Sequence, residues 1–428
     1  MRIIGDVSVG LAVEKIKQQM KNFAKDIMVF MKWVLLSAVV GLVIGGVGTG
    51  FYFCTKAVTE FRETNHWIEW LLPLGGMLIV FLYRICKVKK PQGTDLVLLA
   101  VRSPEEVPLR MAPLIFVSTV LTHLFGGSAG REGAVLQLGG SLGFQLGKLF
   151  RLDEKDLHII TMCGMSAAFA ALFGTPLTSA IFAMEVVSVG IMYYAALVPC
   201  VVASLIGAAV ARFFGAEPTA FSVSGVPSVG LIPFLQVALL AALCAGVSVI
   251  FCYLLQNTGK VFRKYFPNPY WRAAAGGAIV LVMMLLCGSQ DYLGAGMGSI
   301  QAAVAGTARP EAFLLKMIFT AVTLCVGFKG GEIIPSFFVG ATFGCFVGGL
   351  IGLNPAFGAA IGLMAVFCGV TNCPMTSLII SIELFGIKGA VFYLLAAAVS
   401  YMLSGYTGLY SRQKIMYSKY KPEFIGNK

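Results

Sequence analysis

The sequence has 428 residues, of which 58% are hydrophobic and only 12% charged, with a mean hydropathy of +0.85. Those values exclude a soluble globular domain and define a polytopic membrane protein. The net charge of +12 does not point to nucleic acid, because the basic residues sit in short flanks of apolar segments, where they set topology.

In chain order, residues 1–33 contain the Lys-rich, mildly amphipathic run "VEKIKQQMKNFAKDIMVFMKW", which predicts a cytoplasmic helix on the membrane surface and no cleavable signal peptide. Residues 34–53 carry no charge and are long enough to cross a bilayer core of about 30 Å. The chain returns at 68–85 into the basic "RICKVKK", so both ends of this hairpin are expected in the cytoplasm. Later apolar segments at 113–126, 133–147 and 333–344 are shorter than a span and are flanked or broken by Gly and Pro. Such backbone is tolerated at membrane depth only where it lines a cavity or is buried in protein. The eleven cysteines show no Cys-x-x-Cys spacing and lie mostly in apolar runs, as small hydrophobes do. His66, His123 and His158 are too dispersed for a metal centre, and no metal or cofactor is expected.

The chain repeats itself. "PLTSAIFAME" at 176–185 recurs as "PMTSLIISIE" at 374–383; Glu132 pairs with Glu332 inside matching Gly-rich stretches; Gly75-Gly76 matches Gly276-Gly277. All three offsets are near 200 residues, which divides the membrane region into halves at 34–215 and 231–405, followed by a final segment and basic cytoplasmic tail at 406–428. The first hairpin's loop, "KAVTEFRETNHW", has balanced charge, whereas its counterpart "GKVFRKYFPNPYWR" is strongly basic. The second half is therefore expected upside down relative to the first, as in many ion and solute transporters. The fold class expected is all-α and polytopic, with roughly eight or nine helices per half, many short, tilted or re-entrant.

Two motifs carry the chemistry. In "GGSAGREGAVLQLGG" (126–140) and "KGGEIIPSFFVGATFG" (329–344), bare glycines precede a helix-like apolar run. A helix starting there aims unpaired N–H groups and the positive end of its dipole at the bilayer middle, and two such starts make an anion site. Glu132 is a tethered anion at one of them. A carboxylate there is able to sit in the anion's place and leave when protonated, acting as gate and proton carrier. The bland alternative is a first-turn cap partnered by Arg131, but an ionisable group at membrane depth is functional by default.

"GREG" before a Gly-rich helix, "GGEIIP" some two hundred residues later and the inverted repeat together resemble the CLC chloride channel and transporter family, over residues 34–417. The resemblance implies a homodimer with one pore per subunit. It makes Glu132 the gating and proton-coupling glutamate and the stretch from Gly330 to Pro335 the start of the second anion-facing helix. "GLYSRQ" resembles the late motif whose tyrosine, here Tyr410, reaches the anion. Anion contacts are then expected at Thr94, Gly130, Arg131, Gly133, Gly330, Gly331, Ile333 and Tyr410, with Arg131 balancing charge at the outer mouth. The departures are informative. "PQGTDLVLLAV" stands where GSGIP is usual, leaving Thr94 for the central serine. Ala134 replaces the proline after the Gly-Glu motif, and Glu332 occupies a position usually apolar. Val186 follows Glu185 where chloride/proton exchangers often carry an inner proton-transfer glutamate. These departures resemble the fluoride/proton antiporter branch, and Glu332 is read as a selectivity residue.

The resemblance implies a transporter of halide anions and protons, multi-pass in the cell membrane with both termini cytoplasmic, and not an enzyme. Chloride/proton antiport and passive chloride conduction are the alternatives within the class. Outside it stands an intramembrane serine hydrolase, from "GGSAG" with His123 five residues before Ser128. Glu185 and Glu383, each ending an apolar helix, are read as structural, facing water at their helix ends.

Overall fold

A computed structural model describes residues 2–88, 93–103 and 106–426. Sixteen α-helices fill them in two sets of eight. The first set is α1 (Arg2–Thr64), α2 (Leu72–Ile85), α3 (Asp95–Ala100), α4 (Met111–Leu124), α5 (Glu132–Leu149), α6 (Glu154–Phe173), α7 (Pro176–Glu185) and α8 (Leu197–Phe213). The second is α9 (Leu231–Tyr265), α10 (Pro269–Cys287), α11 (Met297–Val304), α12 (Ala312–Val326), α13 (Ile333–Leu350), α14 (Pro355–Thr371), α15 (Pro374–Phe385) and α16 (Ala390–Leu403). Two short strands, β1 (Ser188–Val189) and β2 (Lys414–Ile415), pair in parallel and fasten the C-terminal segment under α7. Seven helical stretches among the described residues are long and apolar enough to cross a membrane.

The two sets repeat in their end signals as well as their order. Asp153 caps α6 by accepting the Asp156 N–H, and Asn354 caps α14 by accepting those of Ala356 and Phe357. The same two helices stop on left-handed residues, Gly174 (φ 72°) and Asn372 (φ 59°), after which Pro176 and Pro374 start α7 and α15. The inversion shows in how α2 meets α10. Pro73, at the start of α2, abuts Gly277 well inside α10, while Arg84, at the end of α2, lies over the ring of Tyr270 at the start of α10. The two helices therefore run antiparallel, although they are the second element of each half.

Close backbone approach holds the halves internally. A Cβ on Gly143 would lie 2.6 Å from the Ile160 carbonyl, and one on Gly348 2.9 Å from the Gly358 Cα, so α5–α6 and α13–α14 pack at distances that only small residues permit. The hydrophobic core follows these pairs, with Phe169, Phe182, Phe337 and Phe367 in mutual ring contact between the halves.

One expectation is corrected. The surface helix at 1–33 is not separate from the first span: α1 is 63 residues of unbroken helix, about 95 Å at 1.5 Å per residue. Residues 11–40 contain neither Gly nor Pro, so nothing interrupts the hydrogen-bond ladder. Lys32 pairs with Asp156 at the start of α6, and residues 14–32 are exposed as a continuation of the helix that forms the span.

Candidate functional site: where the two broken helices meet

Gly130 and Gly331 form an isolated antiparallel bridge, each N–H donating to the other's carbonyl at 2.7 Å. Glu132 and Ile333 then begin α5 and α13 two residues later on each strand. A two-residue antiparallel exchange between equivalent positions is what a pseudo-twofold axis requires, and it places two helix starts back to back. It also corrects the repeat register. The equivalent of Glu132 is Ile333, and that of Glu332 is Arg131, an offset of 201 rather than 200. The matching letter E in both motifs had paired residues one position out of phase.

The approach is close enough to demand glycine. A Cβ on Gly331 would lie 3.0 Å from the Glu132 nitrogen, and one on Gly133 would lie 3.1 Å from the Gly331 Cα. The same missing Gly133 Cβ points at Glu332 Oε2 and Thr94 Oγ1, each 3.2 Å away. Thr94, Gly130, Gly133, Gly331 and both glutamates therefore share one small space, with Gly330 packed on Ala129 and the Gly130 carbonyl beside it.

Glu132 is fully buried, and its side chain folds back on its own helix start. Oε2 accepts the Arg131 N–H at 2.8 Å, and the carboxylate also lies against the Ile334 N–H at the start of α13. It thus takes a donor from the start of α5 while sitting beside the start of α13. The Arg131 guanidinium is 3.9 Å from Oε1, lies over the Tyr52 ring and donates to Thr55 Oγ1 at 3.1 Å. It is anchored to α1 rather than inserted between the helix starts. The Ile333 side chain is buried in the core, so only its backbone N–H is available to a ligand. Thr94 is also partly committed: its hydroxyl donates to the Gly133 carbonyl at 3.1 Å.

Tyr410 is buried, its hydroxyl finds no partner, and Glu332, Asp95 and Glu132 are its charged neighbours. An unspent donor on that side of the crossing is what an anion site needs. Asp95 was missed in the sequence. It begins α3, accepts from Ser411 Oγ at 2.6 Å and from the Arg412 N–H at 3.2 Å, and so fixes the turn that carries Tyr410. Gln413 holds the same turn from the other side, donating to the carbonyls of Val186 and Thr371. A carboxylate beside Thr94 in an apolar stretch was the available signal.

Three further expectations are resolved. Val186 is fully buried among apolar side chains, with no carboxylate at its position. Glu185 and Glu383 do not simply face water. Glu185, ending α7, accepts the N–H groups of Met375 and Thr376 and the Thr376 hydroxyl at the start of α15; Glu383, ending α15, accepts the equivalent groups of Leu177 and Thr178 on α7. Each half caps the other. The hydrolase alternative fails on geometry: the Ser128 hydroxyl pairs with Thr320 at 3.1 Å, while the His123 ring nitrogen faces the Gly130 carbonyl at 3.3 Å.

Two inverted eight-helix halves whose interrupted helices meet start to start define a membrane transporter or channel. The chain belongs to the CLC family: the family description "Voltage gated chloride channel" matches residues 75–405. Among its relatives, a chloride/fluoride channel protein of Pseudomonas syringae pv. tomato is 36% identical over 91% of this chain and 88% of its own length. The H(+)/Cl(-) exchange transporter ClcA of Vibrio cholerae is 25% identical over 82% of this chain and 81% of its own. A crystal structure of a CLC-type fluoride/proton antiporter superposes with a TM-score of 0.87 at 32% identity, covering 90% of this chain and 98% of that one.

Proposed function

We propose that this protein is a CLC-type anion transporter that exchanges fluoride for protons and so exports fluoride. The observation that carries the reading is the Glu132 carboxylate, buried among the N–H groups where the starts of α5 and α13 meet and accepting that of Arg131. An anion arriving at the crossing competes for those donors. Protonation removes the charge that holds Glu132 there, so one proton moves as one anion takes its place. Fluoride is small and a strong hydrogen-bond acceptor, which suits a tight space lined by backbone N–H groups and the free Tyr410 hydroxyl, with the Thr94 hydroxyl joining them when it leaves the Gly133 carbonyl. Glu332, at the equivalent position to Arg131, sets the preference among halides. The relative described as a chloride/fluoride channel protein and the fluoride/proton antiporter fold support fluoride over chloride; the apolar surroundings of Val186 weigh against a second proton-transfer carboxylate there.

The working unit is a homodimer with one pathway per chain, with membrane repeats at 34–215 and 231–405. Both termini face the cytoplasm, the side marked by the basic ends of α2 and α9. The test is purified protein in liposomes, with fluoride and chloride efflux followed by electrode and lumen pH by dye. Fluoride efflux with matched proton uptake is expected, and Glu132→Gln abolishes the proton component; unchanged proton flux in that variant refutes the gate. Glu332→Ala shifts the fluoride-over-chloride ratio, and an unaltered ratio removes Glu332 from the pathway.

A further inference from the structure

Away from the crossing, a cavity of about 780 Å³ opens between the end of α2, the start of α10 and the segment Gly327–Lys329. Four cations line it: Arg84, Lys87, Arg272 and Lys329. Among the described residues, none of the four is in an ion pair and no carboxylate lines the cavity. The Arg272 Nε is buried without a hydrogen-bond partner. Tyr83 and Tyr270 face Lys329 and Arg84 across the space, at 5.0 Å and 6.0 Å to the ring centroids. Like charges gathered around an unfilled space, with one donor already dehydrated and unpaired, repel one another unless an anion joins them.

The repeat shows that these charges do not serve the architecture. At the offset of 201, the positions equivalent to Arg84, Lys87, Arg272 and Lys329 are Leu285, Gly288, Leu71 and Ser128. None of these four positions carries a cation in the other half. The surroundings say what kind of anion fits. Ile79 and Val80 supply an apolar wall. Leu78, Phe81 and Ile85 on α2 and Tyr265 and Trp271 beside the start of α10 are exposed on the outer surface, where a belt of aromatic side chains marks the headgroup level of a bilayer.

We infer that this cavity is a binding site for the headgroup of an anionic phospholipid, its phosphate held by Arg84, Lys87, Arg272 and Lys329 and its glycerol and upper acyl carbons against Ile79 and Val80. Basic pockets between membrane helices on the cytoplasmic side recognise lipid phosphates by this chemistry. The site is separate from the transport reading and stands or falls without it.

The test uses the full-length protein taken from vesicles of phosphatidylcholine with a minor fraction of phosphatidylglycerol, with retained lipid counted by native mass spectrometry. The wild type is expected to retain phosphatidylglycerol selectively. Arg84→Gln with Arg272→Gln lowers that retention on the order of tenfold, while Arg84→Lys with Arg272→Lys keeps most of it. Lys260→Gln, an exposed basic position on α9, leaves it unchanged. Val80→Trp fills the cavity without removing a charge and also expels the lipid, which covers the case in which the double Gln variant does not fold. Equal retention in wild type, double variant and Val80→Trp overturns the inference. Displacement by millimolar inorganic phosphate as readily as by lipid overturns the lipid assignment in favour of a free-anion site.

Discussion

Replacing Glu185 with alanine is expected to destabilise the protein far more than the equivalent change at Glu383, although the two carboxylates make the same set of bonds. Glu185 is 8% exposed and Thr376, its main partner, is fully buried. Truncation strands the N–H groups of Met375 and Thr376 and the Thr376 hydroxyl, held at 3.0, 2.8 and 2.5 Å. Each unsatisfied buried group costs about 1–3 kcal/mol, and relief of the carboxylate's own burial returns part of that, leaving a loss of about 3 kcal/mol. Around Glu383, Thr178 is as buried as Thr376, but the carboxylate itself is only half-buried, so water enters the vacated space and replaces the lost acceptor. The cost there is that of an ordinary cap, about 1 kcal/mol. Because unfolding in detergent is commonly irreversible, the measurement is the rate at which monodisperse protein is lost on heating, compared across Glu185→Ala, Glu185→Gln and Glu383→Ala. A cycle with Thr376→Ala isolates the pair, with a coupling of about 1–3 kcal/mol expected. Equal losses at Glu185 and Glu383 would refute the effect of burial, and no coupling to Thr376 would refute the reciprocal cap as a source of stability.

Tyr410→Phe removes a hydroxyl that bonds to nothing in the protein; folding is therefore unaffected, while halide affinity in calorimetry falls about tenfold, the worth of one hydrogen bond to an anion. An unchanged affinity places Tyr410 outside the site. Asp95→Ala frees the Ser411–Arg412 turn and slows transport several-fold with a smaller change in thermal stability; Asp95→Asn, which keeps one acceptor, recovers part of the rate. A variant as fast as wild type shows that the turn holds without Asp95.

How much of this was legible in the sequence depended on the range of the interaction. The inverted halves were readable because motifs and loop charge are local signals, and because the Gly-Glu motif and the Pro-Thr-Ser motif each lie within one helix start. The register at the crossing was not. Glu132 and Glu332 carry the same letter, and only the hydrogen-bonded exchange at Gly130 and Gly331 shows that they occupy different steps of the repeat. The continuous α1 was hidden by its change of composition: charged residues before 33 and apolar ones after it look like two elements, yet helical propensity runs through both. Asp95, Glu185 and Glu383 escaped a functional or capping assignment because their partners lie roughly 200 to 300 residues away, where no local pattern connects them.

The one-step mismatch at the crossing gives the transport path a direction. Had the duplication kept both motifs alike, turning the molecule over would exchange two identical carboxylates, and the two membrane faces would present the same barrier to an ion. Here the axis through Gly130 and Gly331 exchanges Arg131 with Glu332 and Glu132 with Ile333. A cation on one branch faces an anion on the other, and an ionisable helix start faces an aliphatic one. A backbone related to itself by a pseudo-twofold axis thus carries a polar asymmetry at the crossing itself. The passage so acquires an inside and an outside from the residues that flank its narrowest point.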